Sequence, residues 1–201
     1  MQPSILQTLP NCLDTEARSF PDFYFLRHGI TDANLQGVTC GGGWDIGLNA
    51  AGLSQSFTVA QGALRKCPDL KTICCSPMKR ATQTTNIVKA VLKLPVVVVE
   101  GLREIMVGEW ERKPWHEMPD PFVALYDPPG GEAIATFEKR VAEAVAEACK
   151  NPGPVLIVSH GGVWLALARY LGIKQSWLDN CALHKVRRTE SGKTWVAELV
   201  T

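Results

Sequence analysis

Two histidine-containing segments of the chain combine residue types that could do chemistry. The segment Arg27–Gly29 (RHG) follows the apolar run FYFL, and Ser159–Gly162 (SHGG) follows the apolar run PVLIV. Short apolar runs bounded by glycine are typical of buried parallel strands. In an open α/β sheet, ligands bind in the crevice outside the carboxyl ends of such strands. Two of the four histidines in the chain, His28 and His160, are therefore predicted to share one composite site.

Arginines at the ends of predicted strands could make this site a pocket for a doubly charged oxyanion. Arg27 ends the first apolar run, and Arg80 comes shortly after the run TICCS. Arginine is always charged and grips phosphoryl oxygens in a bidentate way. The helix predicted after His160 would add backbone N–H groups and the positive end of its dipole. Charge neutralisation then needs no metal ion, and since no cluster of metal ligands is visible in the sequence, no metal and no cofactor are predicted.

The same residues could transfer a phosphoryl group. A neutral imidazole at His28 can attack phosphorus and form a covalent phosphohistidine, which water later cleaves. The leaving alkoxide then needs a proton from a nearby carboxylic acid. Glu104 is the candidate by position, because it follows the third apolar run, VVVV; Glu109 and Glu111 are alternatives close by in the sequence.

A series of motifs resembles the histidine phosphatase superfamily, also called phosphoglycerate mutase-like. The motifs occur in the family's order from about residue 22 to residue 172 and read FLRHGIT with Asn34, SPMKRATQT, LREIMVGEWE, PPGGEAIATF and VSHGG. The resemblance implies an α/β fold, with a mostly parallel sheet and helices on both faces in three layers (α/β/α). It also implies a histidine acid-type phosphatase whose nucleophile is His28. The other roles it implies are proton donation by Glu104, catalysis by His160 and phosphate binding by Arg27, Arg80, Asn34 and Gly161.

Some positions depart from the family pattern and leave the substrate open. Ile30 stands where the family often has a polar residue, Gly47 stands where it often has proline, and Val38–Gly43 lacks a basic residue that many members carry. The Glu-Arg-His-Tyr-Gly segment of glycolytic mutases has no counterpart, which favours a phosphatase. A phosphoglycerate mutase-type isomerase and a non-catalytic binder of phosphorylated ligands are the alternatives. Specificity for a small phosphorylated metabolite or another phosphomonoester is expected in Val38–Gly47 and Gly101–Gly131.

Cys74 and Arg80 have the Cys-x5-Arg spacing of cysteine-dependent phosphatases, but the intervening residues argue against that chemistry. Those residues are CSPMK; they include no glycine, and Pro77 lacks a backbone N–H. Cys74 also lies in an apolar run, which raises a thiol pKa and lowers its reactivity. We therefore predict that Cys74 is structural.

Strands and helices are predicted to alternate around these residues, as in α/β proteins. Strands are expected at residues 22–26, 72–76, 96–100 and 155–159, helices at 50–66, 78–92, 132–150 and 162–171, and an edge hairpin in the tail around residues 190–193. The first helix is predicted to begin after the N-cap Asn49. Its apolar face is predicted at Leu53, Phe57, Ala60 and Leu64, and that of the 132–150 helix at Ile134, Phe137, Val141, Val145 and Ala148. His116 and His184 lack motif context, and Trp110 and Trp115 could line the pocket or the core.

The bulk composition is that of an ordinary globular domain. The chain has 201 residues, 46% of them hydrophobic, which is enough for one well-buried domain, and a single catalytic domain is predicted over residues 22–201. Residues 1–21 are polar, contain Pro3, Pro10 and Pro21, and are predicted to form an N-terminal arm. The net charge of +1 predicts no nucleic-acid partner, and no apolar stretch has membrane-spanning length. Seven cysteines without metal-type spacing and the lack of a secretory leader favour reduced thiols in the cytoplasm. The exposed edge strand expected in the tail would permit a homodimer.

Overall fold

The computed structural model describes residues 20–119, 126–174 and 177–200. The predicted arm over residues 1–21 lies outside the described residues except for Phe20 and Pro21. Part of the predicted specificity segment, residues 120–125, also lies outside them. Phe20 is buried and packs near Tyr170 and Trp195.

Six strands form one mixed sheet. Four of them run parallel: β1 (Phe23–Arg27), β2 (Thr72–Cys75), β3 (Val96–Val98) and β4 (Val155–Ser159). The tail contributes β5 (Leu183–Arg188), antiparallel to β1, and β6 (Trp195–Leu199), antiparallel to β5. The strand order is β3-β2-β4-β1-β5-β6. The mostly parallel sheet confirms the predicted fold class, and the tail forms the predicted hairpin with β6 at the edge.

Helices connect the strands and cover the sheet. They are α1 (Asp32–Leu35), α2 (Ala50–Lys66), α3 (Lys79–Leu92), α4 (Ile134–Ala148) and α5 (Gly161–Leu171). Three 3-10 turns, Glu100–Leu102, Gly108–Trp110 and Trp115–Glu117, occupy the long connection between β3 and α4. Within the described ranges, none of the helices combines the length and the apolar character needed to cross a membrane.

The sheet is apolar on both faces because its central strands carry apolar residues at successive positions. In β1, Phe23 and Phe25 point to the face covered by α4 and α5, while Tyr24 and Leu26 point to the face covered by α2 and α3. Successive side chains of a strand point to opposite faces, so a continuous apolar run is what a doubly covered strand requires. The predicted stripe of α4, from Ile134 to Ala148, is buried as expected.

The buried face predicted for α2 is wrong for two of its residues. The side chains of Leu53 and Phe57 are 44% and 55% exposed, while Ala60 is buried as predicted. The helix instead buries small residues, including Gly52 and Ser56. A Cβ atom at Gly52 would clash with the carbonyl oxygen of Ile30, so the close approach of α2 to the loop after β1 requires small residues and overrides side-chain hydrophobicity.

Several predicted bounds differ by one or two residues. Strand β1 lies one residue later than predicted and β2 ends one residue earlier. Strand β3 ends at Val98, because a 3-10 turn begins at Glu100. Helix α3 begins at Lys79, since Met78 has an extended backbone. Helix α4 is two residues shorter at each end than predicted, and α5 begins one residue earlier, at Gly161.

Candidate active site

The pairing of β1 with β4 brings the two predicted histidines together. Arg27 lies opposite Ser159 in the parallel register, so His28 and His160 leave neighbouring strands at the same edge. Their ring centroids are 5.2 Å apart, and the backbone N–H of His28 donates to the carbonyl of Ser159 at 2.9 Å. Both side chains are buried, with exposed fractions of 3% and 0%.

His28 is held in the tautomer that a nucleophile needs. Its Nδ1 lies 2.7 Å from the carbonyl oxygen of Gly29. A carbonyl can only accept a hydrogen bond, so Nδ1 carries the proton and the lone pair of the neutral ring resides on Nε2. Burial, and then the positive charges of Arg80 and Arg27, hold the pKa of His28 well below its ordinary range. The imidazole is therefore neutral at physiological pH.

His160 is oriented by a serine on the neighbouring strand end. Its Nε2 lies 2.8 Å from Ser76 Oγ, which also accepts a hydrogen bond from the N–H of Met78 at 3.3 Å. When the serine hydroxyl donates to Nε2, the proton of the neutral ring is on Nδ1. Burial, together with the charge of Arg80, holds the pKa of His160 well below its ordinary range.

The two predicted phosphate-binding arginines reach the site from β1 and from the first turn of α3. Arg80 is 1% exposed and donates through Nη2 to the carbonyl of Gly41 at 2.9 Å and through Nη1 to the carbonyl of Trp44 at 3.3 Å. Arg27 donates through Nη1 to the carbonyl of Leu178. These carbonyl contacts fix both guanidinium groups in place.

Three buried nitrogens of this cluster lack a hydrogen-bond partner within the described residues: Arg27 Nε, Arg80 Nε and His160 Nδ1. Leaving a buried donor unpaired costs about 1–3 kcal/mol. Two unpaired guanidinium N–H groups, with His160 Nδ1 as a third donor in the tautomer that protonates it, indicate that the site is built to receive a ligand with several acceptor oxygens.

Glu104 is the predicted carboxylate that reaches this cluster. Its Oε1 accepts from the N–H of Ile105 and its Oε2 from the N–H of Gly162 at the start of α5, both at 3.0 Å. A Cβ atom at Gly162 would clash with Oε1, so only glycine leaves room for the carboxylate there.

The two alternative carboxylates are placed elsewhere. Glu111 accepts a hydrogen bond from the N–H of Gly43 at 2.7 Å and supports the loop before α2. Neither Glu109 nor Glu111 is among the described residues that line the cavity, whereas Glu104 is.

Asn34 and Gly161, the other two predicted phosphate ligands, lie at the margin of the cluster. Asn34 lines the cavity, and its Oδ1 accepts from the N–H of Thr31 at 3.1 Å and from Nδ2 of Asn180 at 3.3 Å. Asn34 would bind an anion through its side-chain amide N–H groups. Gly161 begins α5 beside Arg27, and a Cβ atom there would lie 3.5 Å from Arg27 Nε.

One cavity of about 550 Å³ is lined by Arg27, His28, Asn34, Arg80 and Glu104. His160 and Gly161 are not among its described lining residues. The remainder is largely apolar and aromatic, and its walls include Val38, Ile105, Val107, Trp110, Trp115 and Trp177. The two segments predicted to carry specificity thus both contribute to the cavity.

Sequence reasoning missed the segment before β5. Trp177, Leu178 and Asp179 line the cavity, and Asn180 donates through Nδ2 to the carbonyl of His28 at 3.1 Å. These residues have no motif. Only the sheet topology could have indicated their position. Strand β5 runs antiparallel to β1, so the residues before β5 lie at the edge where the parallel strands end.

The other residues weighed in the sequence lie away from the chemistry. Cys74 is fully buried, and burial raises the pKa of its thiol to about 12. His184 is partly buried and stacks on Trp164, with ring centroids 5.8 Å apart. The side chain of His116 is 75% exposed. Over the described ranges, no group of three or more His, Cys, Asp and Glu side chains is arranged to hold a metal ion.

Comparison with known proteins defines the class to which this site belongs. The family model of the histidine phosphatase superfamily (branch 1) matches residues 23–200. The chain belongs to this superfamily, which confirms the resemblance drawn from its motifs.

Individual relatives carry different names. The chain is 35% identical over 167 residues to an agropine synthesis reductase of Rhizobium rhizogenes, a match that covers 78% of this chain and 36% of that protein. The chain thus matches only about a third of that relative's length. An adenosylcobalamin/alpha-ribazole phosphatase of Escherichia coli (strain K12) is 28% identical over 166 residues, covering 75% of this chain and 79% of that protein. A solved mycobacterial glucosyl-3-phosphoglycerate phosphatase is 25% identical with a TM-score of 0.70, covering 89% and 96% of the two chains.

Proposed function

We propose that the protein is a metal-independent phosphomonoesterase that works through a phosphohistidine at His28. One observation carries this proposal: the neutral, buried His28 lies in a cluster with three buried nitrogens, Arg27 Nε, Arg80 Nε and His160 Nδ1, that have no partner among the described residues. A phosphate dianion supplies acceptor oxygens for such donors and an electrophilic phosphorus for the nucleophile. Phosphatase-named relatives in the superfamily support the same activity.

The first chemical step transfers the phosphoryl group to the enzyme. His28 Nε2 forms a bond to phosphorus while the bond from phosphorus to the ester oxygen breaks. The leaving oxygen takes the proton of Glu104, so the alcohol departs neutral. Arg27, Arg80 and His160 stabilise the charge on the equatorial oxygens during transfer.

The second step returns the enzyme to its starting state. Water attacks the phosphorus of phospho-His28 and gives one proton to the Glu104 carboxylate. The bond from phosphorus to nitrogen breaks, inorganic phosphate leaves, and His28 is again neutral. Glu104 thus acts first as an acid and then as a base.

We propose small phosphorylated metabolites as the natural substrates and the cytoplasm as the setting. Six cysteines within the described residues are free thiols, which suits a reducing compartment. A phosphoglycerate mutase-type isomerase uses the same intermediate and differs in returning the phosphoryl group to a substrate hydroxyl rather than to water.

Phosphate release from p-nitrophenyl phosphate in the presence of EDTA tests the proposal. We expect activity in the wild type, a loss on the order of 10³-fold or more in His28→Ala, and retention of activity in Cys74→Ser. Activity that survives in His28→Ala would show that the nucleophile is wrong. Isomerised product without free phosphate would favour the mutase, and phosphate binding without turnover of any phosphoester would favour a binding protein.

A further inference from the structure

The described lining of the cavity carries few charges. The charged residues among its described lining are Arg27, Arg80, Glu104 and Asp179. Both arginines belong to the cluster that we propose binds phosphate, and their Nε atoms lack a hydrogen-bond partner among the described residues. Once a phosphate occupies them, the described lining offers no further cation to a second anionic group. Glu104 and Asp179 would instead repel one.

The rest of the described lining is mostly aromatic and aliphatic. Trp115 and Trp177 both line the cavity although they are 54% and 59% exposed. Ile105 and Val107, both buried, add aliphatic side chains to the same lining. Exposed apolar surface grouped around a polar anchor is the usual composition of a small-molecule site.

We infer that the site selects phosphomonoesters of apolar, aromatic alcohols that carry no second anionic group. This inference rests on the phosphatase activity proposed above and assigns its substrate class. The indole rings of Trp115 and Trp177 supply flat apolar surface on which an aromatic ring can stack. The phosphate anchors the ester at the arginines, and the alcohol packs against the apolar lining.

The inferred preference also excludes phosphorylated carboxylic acids as good substrates. A substrate such as 3-phosphoglycerate brings a carboxylate as well as a phosphate. That carboxylate would lose its hydration in an apolar space without gaining a cation from the described lining. Such substrates are therefore poor ones for this cavity.

Three primary alkyl phosphates test the inference without large differences in the leaving group. We expect kcat/KM for 2-phenylethyl phosphate to exceed that for ethyl phosphate by roughly tenfold to a hundredfold, the range that burial of a phenyl ring supports. We expect 3-phosphoglycerate to fall below ethyl phosphate. Because the comparison is made on the wild-type protein, it does not depend on the folding of any variant.

Substitution of the two cavity tryptophans then tests whether their indole rings cause the preference for 2-phenylethyl phosphate over ethyl phosphate. Trp115→Ala and Trp177→Ala are each expected to lower the ratio of phenylethyl to ethyl phosphate turnover several-fold. Phe57→Ala is the matched control, because Phe57 is an aromatic residue of α2 that is 55% exposed and is not part of the described cavity lining. We expect it to keep the wild-type ratio.

The outcomes distinguish this inference from the proposed function. Equal kcat/KM values for the three esters, or a preference for 3-phosphoglycerate, would overturn the substrate class and leave a phosphatase. An unchanged ratio in both tryptophan variants would overturn the role of the indoles. Hydrolysis of none of the esters, p-nitrophenyl phosphate included, would overturn the proposed function and the inference with it.

Discussion

His28 and His160 are buried beside two arginines, and both features disfavour the charged imidazolium. The pKa of each ring is held well below its ordinary value of 6.5, with burial as the largest cause. Nucleophilic attack requires a neutral ring. Burial beside two arginines disfavours the charged ring and so keeps His28 in the neutral form that the proposed attack needs.

The same shifts make stability depend on pH. The unfolded chain protonates these histidines below about pH 6.5 while the folded chain does not, so protons favour unfolding in that range. We expect the histidines to leave the free energy of unfolding nearly constant between about pH 7.5 and pH 8 and to make it fall as pH drops below that, by up to about 1.4 kcal/mol per pH unit for each histidine. Urea denaturation between pH 5 and pH 8 measures this.

His28→Gln should make the free energy of unfolding fall less steeply as pH drops. His116→Gln, which replaces an exposed histidine, should leave the slope unchanged. Wild type and His28→Gln with identical slopes would contradict the neutral, buried state of His28.

Glu104 is expected to matter most when the leaving group is a poor one. Glu104→Gln removes the proton donor, which contributes roughly 10²–10⁴-fold to rate. We expect a loss of that size in kcat for ethyl phosphate and a much smaller loss for p-nitrophenyl phosphate, whose leaving group departs as an anion. Glu109→Gln serves as the control, since Glu109 is not among the described cavity residues. Equal losses on both substrates would assign Glu104 a structural role instead.

At the scale of elements, the site is assembled by strand ends. Four parallel strands end at one edge, and the residues that follow them carry His28, Arg80, Glu104 and His160. This convergence could be predicted from the sequence, because each apolar run, its bounding glycines and the polar residues after it form a local pattern. The sequence did not predict the contributions of Trp177 or Asn180, since these precede an antiparallel strand and depend on topology that no local pattern specifies.

The error in the buried face of α2 has a related cause. Hydrophobicity placed Leu53 and Phe57 against the sheet, but the backbone of the loop after β1 lies too close to the helix for large side chains. A Cβ atom at Gly29 would lie 2.6 Å from the carbonyl oxygen of Gly52. Close backbone packing of this kind is a tertiary property, and a single sequence does not reveal which helix face must be small.

The N-terminus of α5 gives a prediction at this scale. Gly162→Ala would place a methyl group against Glu104 Oε1 and displace the carboxylate from the N–H at 162. We expect kcat for ethyl phosphate to fall by roughly tenfold or more, because a misplaced acid transfers its proton poorly. Steady-state kinetics on both leaving groups measure the change.

Gly62→Ala is the matched control, because a Cβ atom there would meet nothing within 4 Å. It should keep full activity and add about 0.5–1 kcal/mol of stability to α2. A Gly162→Ala enzyme with wild-type kinetics on ethyl phosphate would contradict the placement of Glu104.

At the scale of the whole molecule, charge is local rather than global. A net charge of +1 provides no field to gather anions, so the proposed affinity for phosphate must come from local groups, namely Arg27, Arg80 and His160. The family and the fold class could be predicted because the motifs span most of the chain. The sequence permits a homodimer without requiring one, and β6 provides the edge strand that such a dimer would use.

Trapping of the phosphoenzyme tests the central claim most directly. Wild-type protein mixed with a labelled phosphomonoester and quenched within milliseconds should carry phosphate that is labile in acid and stable in alkali, on the peptide that contains His28. His28→Ala should carry none. An acid-stable phosphoenzyme, or label on a peptide without His28, would contradict the phosphohistidine mechanism.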